Sequence, residues 1–243
     1  MLSIQKISKK FDKKGIKNIS INIKPGDIVG FVGDNGAGKS TLIKCIFNEY
    51  KKDEGKVFYE NESLYENNNL RHLCFFPDQS IYPKGVTLKD YCLLDAELAG
   101  IMKQEAEEKL DKLLSKFGLL EYKNKTFDKL SAGMQKKALL AICLVSKPKY
   151  FFLDEPTANL DVHTRKEFLE LIKLLSKKGI GILITSHIID ELQEIINKLC
   201  LISEGELVYD NYFDPKNDKI IDLYSKYSNK KIEIDYDSMI EDI

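Results

Sequence analysis

Eight consecutive residues, Gly33-Asp34-Asn35-Gly36-Ala37-Gly38-Lys39-Ser40, follow the pattern G-x-x-x-x-G-K-[ST], a spacing suited to holding phosphate. The glycines let the chain curl until successive backbone N–H groups face one anionic centre. A helix opening behind the loop near Thr41 adds the partial positive charge of its N-terminus. Lys39 is spaced to reach the β- and γ-phosphates of a nucleotide, and the Ser40 hydroxyl to bind Mg²⁺. Chance yields such a match in roughly one chain in a hundred of this size and composition. The apolar run before the loop, Ile28-Val29-Gly30-Phe31-Val32, supplies the strand that the motif requires.

A second candidate lies far downstream. Tyr150-Phe151-Phe152-Leu153 is an apolar strand that ends in two adjacent acids, Asp154 and Glu155. At the carboxyl edge of a parallel sheet both acids stand beside a phosphate loop. Asp154 suits the Mg²⁺ shell, and Glu155 suits a base that orients and polarises attacking water. Alone, such a pair is more often a solvated strand end; the upstream loop reverses that reading.

The elements that position these residues follow from hydrophobic period. Leu2, Ile4 and Ile7 begin one strand, and Ile19, Ile21 and Ile23 give another with one apolar face. Val57 to Tyr59 and Leu73 to Phe76 are further strands. From Thr87, a helix cap paired with Asp90, the period becomes helical as far as Gly100, and a second helix covers Gln104 to Phe117. Residues 86–130 therefore read as a mainly helical insert. A helix follows Ser131 and ends before Pro148. Beyond the strand at Tyr150, a helix over Val162 to Ser176, a strand over Ile180 to Thr185 and a helix over Ile188 to Ile196 alternate. Lys198 to Ser203 and Glu206 to Tyr209 form a hairpin around Glu204-Gly205. This order predicts an α/β fold with a mainly parallel core sheet. The tail, residues 211–243, carries a helix at Lys219 to Tyr227 and an alternating stretch at Lys231 to Tyr236, and no motif gives it a role.

Composition removes several function classes. The 243 residues hold 37 basic and 38 acidic side chains, a net charge of −1 that creates no field for nucleic acid. The longest apolar run, Ala138 to Val145, is far short of the roughly 20 residues a spanning helix needs. The first residues lack a secretory signal. Cys45, Cys74, Cys92, Cys143 and Cys200 form no C-x-x-C pair and read as buried thiols. A soluble, cytoplasmic protein is expected.

With the phosphate loop and the acid pair in place, residues 1–210 resemble the nucleotide-binding subunit of an ATP-binding cassette (ABC) transporter, in the family's motif order. Leu130-Ser131-Ala132-Gly133-Met134 is similar to the LSGGQ signature, with Ala132 and Met134 as departures. The resemblance implies that Ser131 and Gly133 contact the γ-phosphate held by an opposite subunit. Pro156-Thr157-Ala158-Asn159-Leu160-Asp161 resembles the D-loop, whose Asp161 crosses the dimer interface. His187 matches the switch histidine. The Q-loop residue, a contact of Mg²⁺ and water, is Gln79; the alternatives are Asp78 in that role or a plain surface amide at Gln79. Phe11 stands where the family stacks an aromatic on adenine, the alternative being a core phenylalanine; His72 and His163 match nothing.

The resemblance implies a P-loop ABC ATPase fold with an antiparallel β-subdomain and a helical subdomain at about 86–130. It implies ATP and Mg²⁺ as cofactors, held by Gly33, Asn35, Gly36, Ala37, Gly38, Lys39, Ser40, Thr41 and Asp154. It implies two partners, a second ABC subunit (identical or a paralogue) and a transmembrane permease of the bacterial drug, bacteriocin or ABC-2 exporter type. The permease would keep the protein on the inner face of the membrane, docking in a groove beside the Q-loop; Ile81, Tyr82 and Val86 are its lining or, equally, core. The rival is a soluble ABC ATPase of an assembly system such as iron–sulfur cluster biogenesis.

Overall fold

A computed structural model describes residues 1–12, 14–78, 82, 84–186 and 188–228. Ten strands and seven α-helices are found among them. In chain order they are β1 (Leu2–Lys10), β2 (Gly15–Ile23), β3 (Ile28–Val32), α1 (Lys39–Ile46), β4 (Glu54–Tyr59), β5 (Glu62–Ser63) and β6 (Leu73–Phe76). Next come α2 (Leu88–Leu98), α3 (Lys103–Lys116), α4 (Ala132–Val145), β7 (Tyr150–Asp154) and α5 (Val162–Lys177). The series ends with β8 (Gly181–Thr185), α6 (Ile189–Gln193), β9 (Lys198–Ser203), β10 (Glu206–Tyr212) and α7 (Ile220–Tyr227).

Two sheets share the load. The core sheet runs β10-β9-β3-β8-β7-β6, parallel throughout except for the β9–β10 hairpin. The second sheet, β2-β1-β4-β5, is antiparallel. Every residue of β3, β7 and β8 is buried, as the unbroken apolar runs predict for strands covered on both faces. The alternation of side chains divides them between two cores. Val29, Phe31, Phe152 and Leu183 pack with α1 and the antiparallel sheet, whereas Ile28, Val32, Phe151, Ile182 and Ile184 pack with the helices. Helix α1 is thereby clasped between sheets and holds the loop before it.

Two helices fall within residues 86–130, α2 and α3. Helices α2 and α3 pack with α4 through Cys92, Ala96, Ala106, Leu110 and Leu114, and a Thr87–Thr126 bridge closes the segment.

Three local expectations change. Helix α1 begins at Lys39, because Gly38 takes a left-handed conformation that ends the loop there. Helix α6 stops at Gln193, and Ile195 and Ile196 are buried as a turn that leads into β9. Strand β10 runs to Tyr212, so residue 210 falls within a strand, and Phe213 and Ile220 join the helical core. The alternating stretch expected at Lys231 to Tyr236 lies outside the described residues.

Candidate functional site

The phosphate loop leaves the carboxyl end of β3, the strand between β8 and β9. Close packing fixes its glycines. A Cβ at Gly33 would stand 2.3 Å from the Ile202 carbonyl oxygen, and one at Gly38, where φ is +111°, would stand 2.3 Å from Ile16 Cγ2. Lys39 is only 8% exposed, and its Nζ donates to the carbonyl oxygens of Gly33 at 2.7 Å and Asp34 at 3.2 Å. Burial lowers its pKa, opposed by the negative charge of Glu155, Asp154 and Asp34. The ammonium thus rests on the carbonyls of the loop's first two residues.

A cavity of about 360 Å³ lies against Asp34, Asn35, Gly36 and Ala37, with Lys14, Gly15 and Glu204 on its other wall. Ser40 is exposed and Thr41 half-buried in the first turn of α1. Lys14, Gly15 and Glu204 also line an adjoining cavity of about 570 Å³, which contains Phe11. Phe11 is 39% exposed and meets Tyr50 edge-on at 5.5 Å, so its ring is not core packing and can offer a face to a base.

The acids stand on the neighbouring strands. Parallel register sets Asp154 of β7 opposite Thr185 of β8. The Thr185 hydroxyl donates to Asp154 Oδ1 at 2.6 Å and accepts the Glu155 backbone N–H at 3.1 Å. Asp154 is 7% exposed, Thr185 fully buried, and Glu155 half-buried with φ at +46°. A left-handed glutamate is uncommon and needs surrounding structure to hold it.

Ser131, Gly133 and Asp161 meet elsewhere, around a cavity of about 580 Å³ that shares no lining residue with the phosphate-loop cavity. Ser131 caps α4 by accepting the Met134 N–H at 3.4 Å. Asp161 caps α5 by accepting the Thr164 N–H at 3.0 Å, a bond that holds its carboxyl below the usual range. Two helix N-termini therefore open on one cavity, an arrangement that suits an anion.

The structure adds residues that no sequence motif marks. Lys136, fully buried on α4, donates from Nζ to the carbonyls of Glu155 (3.2 Å), Pro156 (2.6 Å) and Ala158 (3.0 Å), and burial lowers its pKa to about 8. Thr157 donates to Glu191 Oε2 at 2.6 Å, and Arg165 Nε lies 2.9 Å from Glu191 Oε1. From the expected tail, Tyr224 of α7 donates its hydroxyl to Asp34 Oδ1, and burial followed by that bond raises the phenol to about 12. In the sequence Lys136 reads like its neighbour Lys137, and Thr185 like any strand end.

Gln79, Ile81 and His187 lie outside the described residues. Asp78 is exposed. His72 stacks on Tyr59 at 4.6 Å and His163 lies on the surface beside Glu167, in keeping with their lack of a motif. Tyr82 stacks on Phe127 at 4.6 Å, which places it in core packing rather than in a groove wall. The described cysteines are free, and Cys45, Cys92, Cys143 and Cys200 are buried. No group of three or more His, Cys, Asp or Glu among the described residues makes a metal cage. Mg²⁺ needs none, since it takes one or two protein oxygens beside substrate phosphates, and Ser40 with Asp154 offers that donor set. No helix among the described residues is long and apolar enough to cross a membrane.

The ABC transporter family model matches residues 16–158. An ABC transporter ATP-binding protein of Mycoplasma pneumoniae is 32% identical over 195 residues, 80% of this chain and 60% of the relative. A bacitracin transport ATP-binding protein of Bacillus licheniformis is 32% identical over 226 residues, 90% of this chain and 73% of the relative. The solved ATP-binding subunit of an ABC transporter superposes with a TM-score of 0.82 at 23% identity, covering 93% of this chain and 99% of that one. The chain thus spans less than two thirds of the Mycoplasma relative's length. A phosphate loop backed by β3, paired acids at the end of β7 and a match over more than half its length lead to one conclusion: the chain belongs to the ABC transporter family, as an ATP-binding domain.

Proposed function

We propose that two copies of this domain, identical or paralogous, enclose two ATP molecules and drive a membrane permease. The separation of two anion-suited cavities in one chain carries this reading. Lys39 and the loop N–H groups from Gly33 to Thr41 hold the phosphates, while Phe11 stacks on the base. Ser131 and Gly133 of the opposite copy close over the γ-phosphate, with Asp161 at the seam. Mg²⁺ held through Ser40, Asp154 and Gln79 would supply positive charge against the β- and γ-phosphate oxygens. Glu155 accepts a proton from the attacking water, and His187 is assigned to the γ-phosphate. These roles fit residues 1–210 as the ATPase domain with its helical subdomain at about 86–130.

On this reading the permease sits against helices α2 and α4. A groove of about 470 Å³ there is lined by Leu70, Leu73, Phe75, Tyr91, Leu98 and Ile142, with Glu49, Arg71 and Asp95 beside them, and Leu98 is 74% exposed. Docking through it would keep the protein on the inner face of the membrane. The relative described for bacitracin transport favours an exporter of drug or bacteriocin type. Neither the Bacillus nor the Mycoplasma relative lends support to an iron–sulfur assembly role.

Glu155→Gln tests the reading. Turnover should fall by about 10²–10⁴-fold while ATP affinity is kept, because the shape remains and the basicity goes. An ATP–Mg²⁺-dependent dimer should then appear on size-exclusion chromatography and be absent with ADP. Turnover near wild type would place the base elsewhere. Collapse of turnover without a dimer would count against the shared site.

A further inference from the structure

Three carbonyl oxygens converge on Lys136 Nζ, those of Glu155, Pro156 and Ala158. An ammonium carries three N–H donors and no acceptor, so the match in number is complete. Neither an amide, with two donors, nor a thioether, with none, can satisfy all three. Burying a charge is costly unless its donors are satisfied, so a fully buried lysine at this point needs those carbonyls where they are. The dependence is mutual: without the ammonium, the Pro156 and Ala158 carbonyls lose this donor, and Glu155 C=O is left with the Ala158 N–H alone.

The two ends of this contact belong to different chemistry. Lys136 sits on α4 five residues after Ser131, which is about 7.5 Å along a rigid helix. The N-terminus of α4 opens on the cavity that receives a partner's nucleotide. Glu155, whose carbonyl Lys136 holds, serves this chain's own nucleotide. Its backbone is clamped at both ends, the N–H by Thr185 and the C=O by Lys136 together with the Ala158 N–H, around a strained φ of +46°. The same helix end is packed tightly against the segment after Glu155: a Cβ at Gly133 would come within 3.1 Å of Thr164 Cγ2. Thr157 and Arg165 tie that segment to Glu191 on α6, so a shift of α4 cannot be absorbed by a slack loop.

We infer that Lys136 is a positioning residue through which nucleotide bound at the Ser131 end of α4 sets the geometry of Glu155 in the same chain, and so links the two ATP sites of the dimer. The inference rests on the shared-site reading above. It assigns Lys136 no contact with ATP. Its removal acts on turnover through Glu155 and abolishes the communication between sites.

The experiment is a double-mutant cycle on the full chain, with Ser131→Ala, Lys136→Met and the double variant. Lys136→Met should lower kcat at least about tenfold while the Kd for ATP stays within about twofold, a split that general loosening of the fold would not give. The effect of Ser131→Ala on kcat should shrink to less than about twofold once Lys136 is gone. Lys136→Gln, which keeps two of the three donors, should fall between wild type and Lys136→Met, and it repeats the cycle if the methionine variant does not fold. Additive effects of Ser131→Ala and the Lys136 substitution would overturn the inference, as would unchanged turnover in both Lys136 variants. Lys39→Ala is the control for the underlying reading. If it leaves turnover intact, the ATPase assignment fails; if it abolishes turnover while the cycle is additive, only the role of Lys136 falls.

Discussion

The Thr185 hydroxyl bridges both acids of the site, donating to Asp154 Oδ1 at 2.6 Å and accepting the Glu155 N–H at 3.1 Å. One buried oxygen therefore fixes the carboxylate assigned to Mg²⁺ and the peptide that carries the base. Thr185→Val keeps the volume and removes the oxygen. A hydrogen bond to a charged group contributes about 1.5–3 kcal/mol, so kcat should fall about 10- to 100-fold with little change in KM. Thr185→Ser should restore most of it. Steady-state kinetics on the three proteins decide, and an active valine variant removes Thr185 from the site.

Lys39 gives a pH prediction. Burial lowers its pKa from 10.5, whereas bound phosphates favour the charged form and raise it again. Between the lowered value and 10.5 the complex therefore holds more proton than the free protein. Binding should take up protons there, and affinity should weaken as pH rises through that window. Calorimetric titration in two buffers of different ionisation heat measures the uptake. Lys39→Ala should lose the uptake and at least about tenfold in affinity.

Gly38→Ala should be harmful on two counts, a φ of +111° and a Cβ 2.3 Å from Ile16 Cγ2. The backbone term costs about 1–3 kcal/mol. Thermal denaturation should show a loss of several degrees, with nucleotide binding lost as the loop shifts. Adding Ile16→Ala relieves the contact and leaves the dihedral, so recovery should be partial. Full recovery would show that crowding alone decides.

Tyr224→Phe removes the bond from α7 to Asp34 and nothing else. A hydrogen bond to a carboxylate is worth about 1.5–3 kcal/mol, and partial exposure favours the low end. Tm should drop by about 2–4 °C for each kcal/mol in a domain of this size. An unchanged Tm would mean that α7 is held by its apolar face and by Gln193 at its start, without help from Tyr224.

Local patterns in the chain carry much of this design. The phosphate loop, the acids after Leu153 and the helical insert are contiguous in sequence, and each depends on period and turn chemistry that a short window contains. Lys136 escapes such a window because helix rotation, not residue type, separates it from the half-exposed Lys137. Thr185 matters only through its parallel register with Asp154, which no window of sequence shows. Tyr224 and Asp34 lie 190 residues apart, and only the tertiary fold brings them together. Tyr82 is ambiguous in sequence between groove and core because aromatic residues serve both, and its stacking on Phe127 decides for core.

The place of β3 in its sheet has a consequence for synthesis. Its hydrogen-bonding neighbours are β8, beginning at Gly181, and β9, beginning at Lys198. A ribosome that has added residue 180 has already made the whole phosphate loop and neither strand that supports it. Non-local pairing of this kind forms late and slowly. From residue 41 to residue 180 the nascent chain therefore carries the phosphate loop without the strands that support it, and β3 waits as an apolar strand with both edges open.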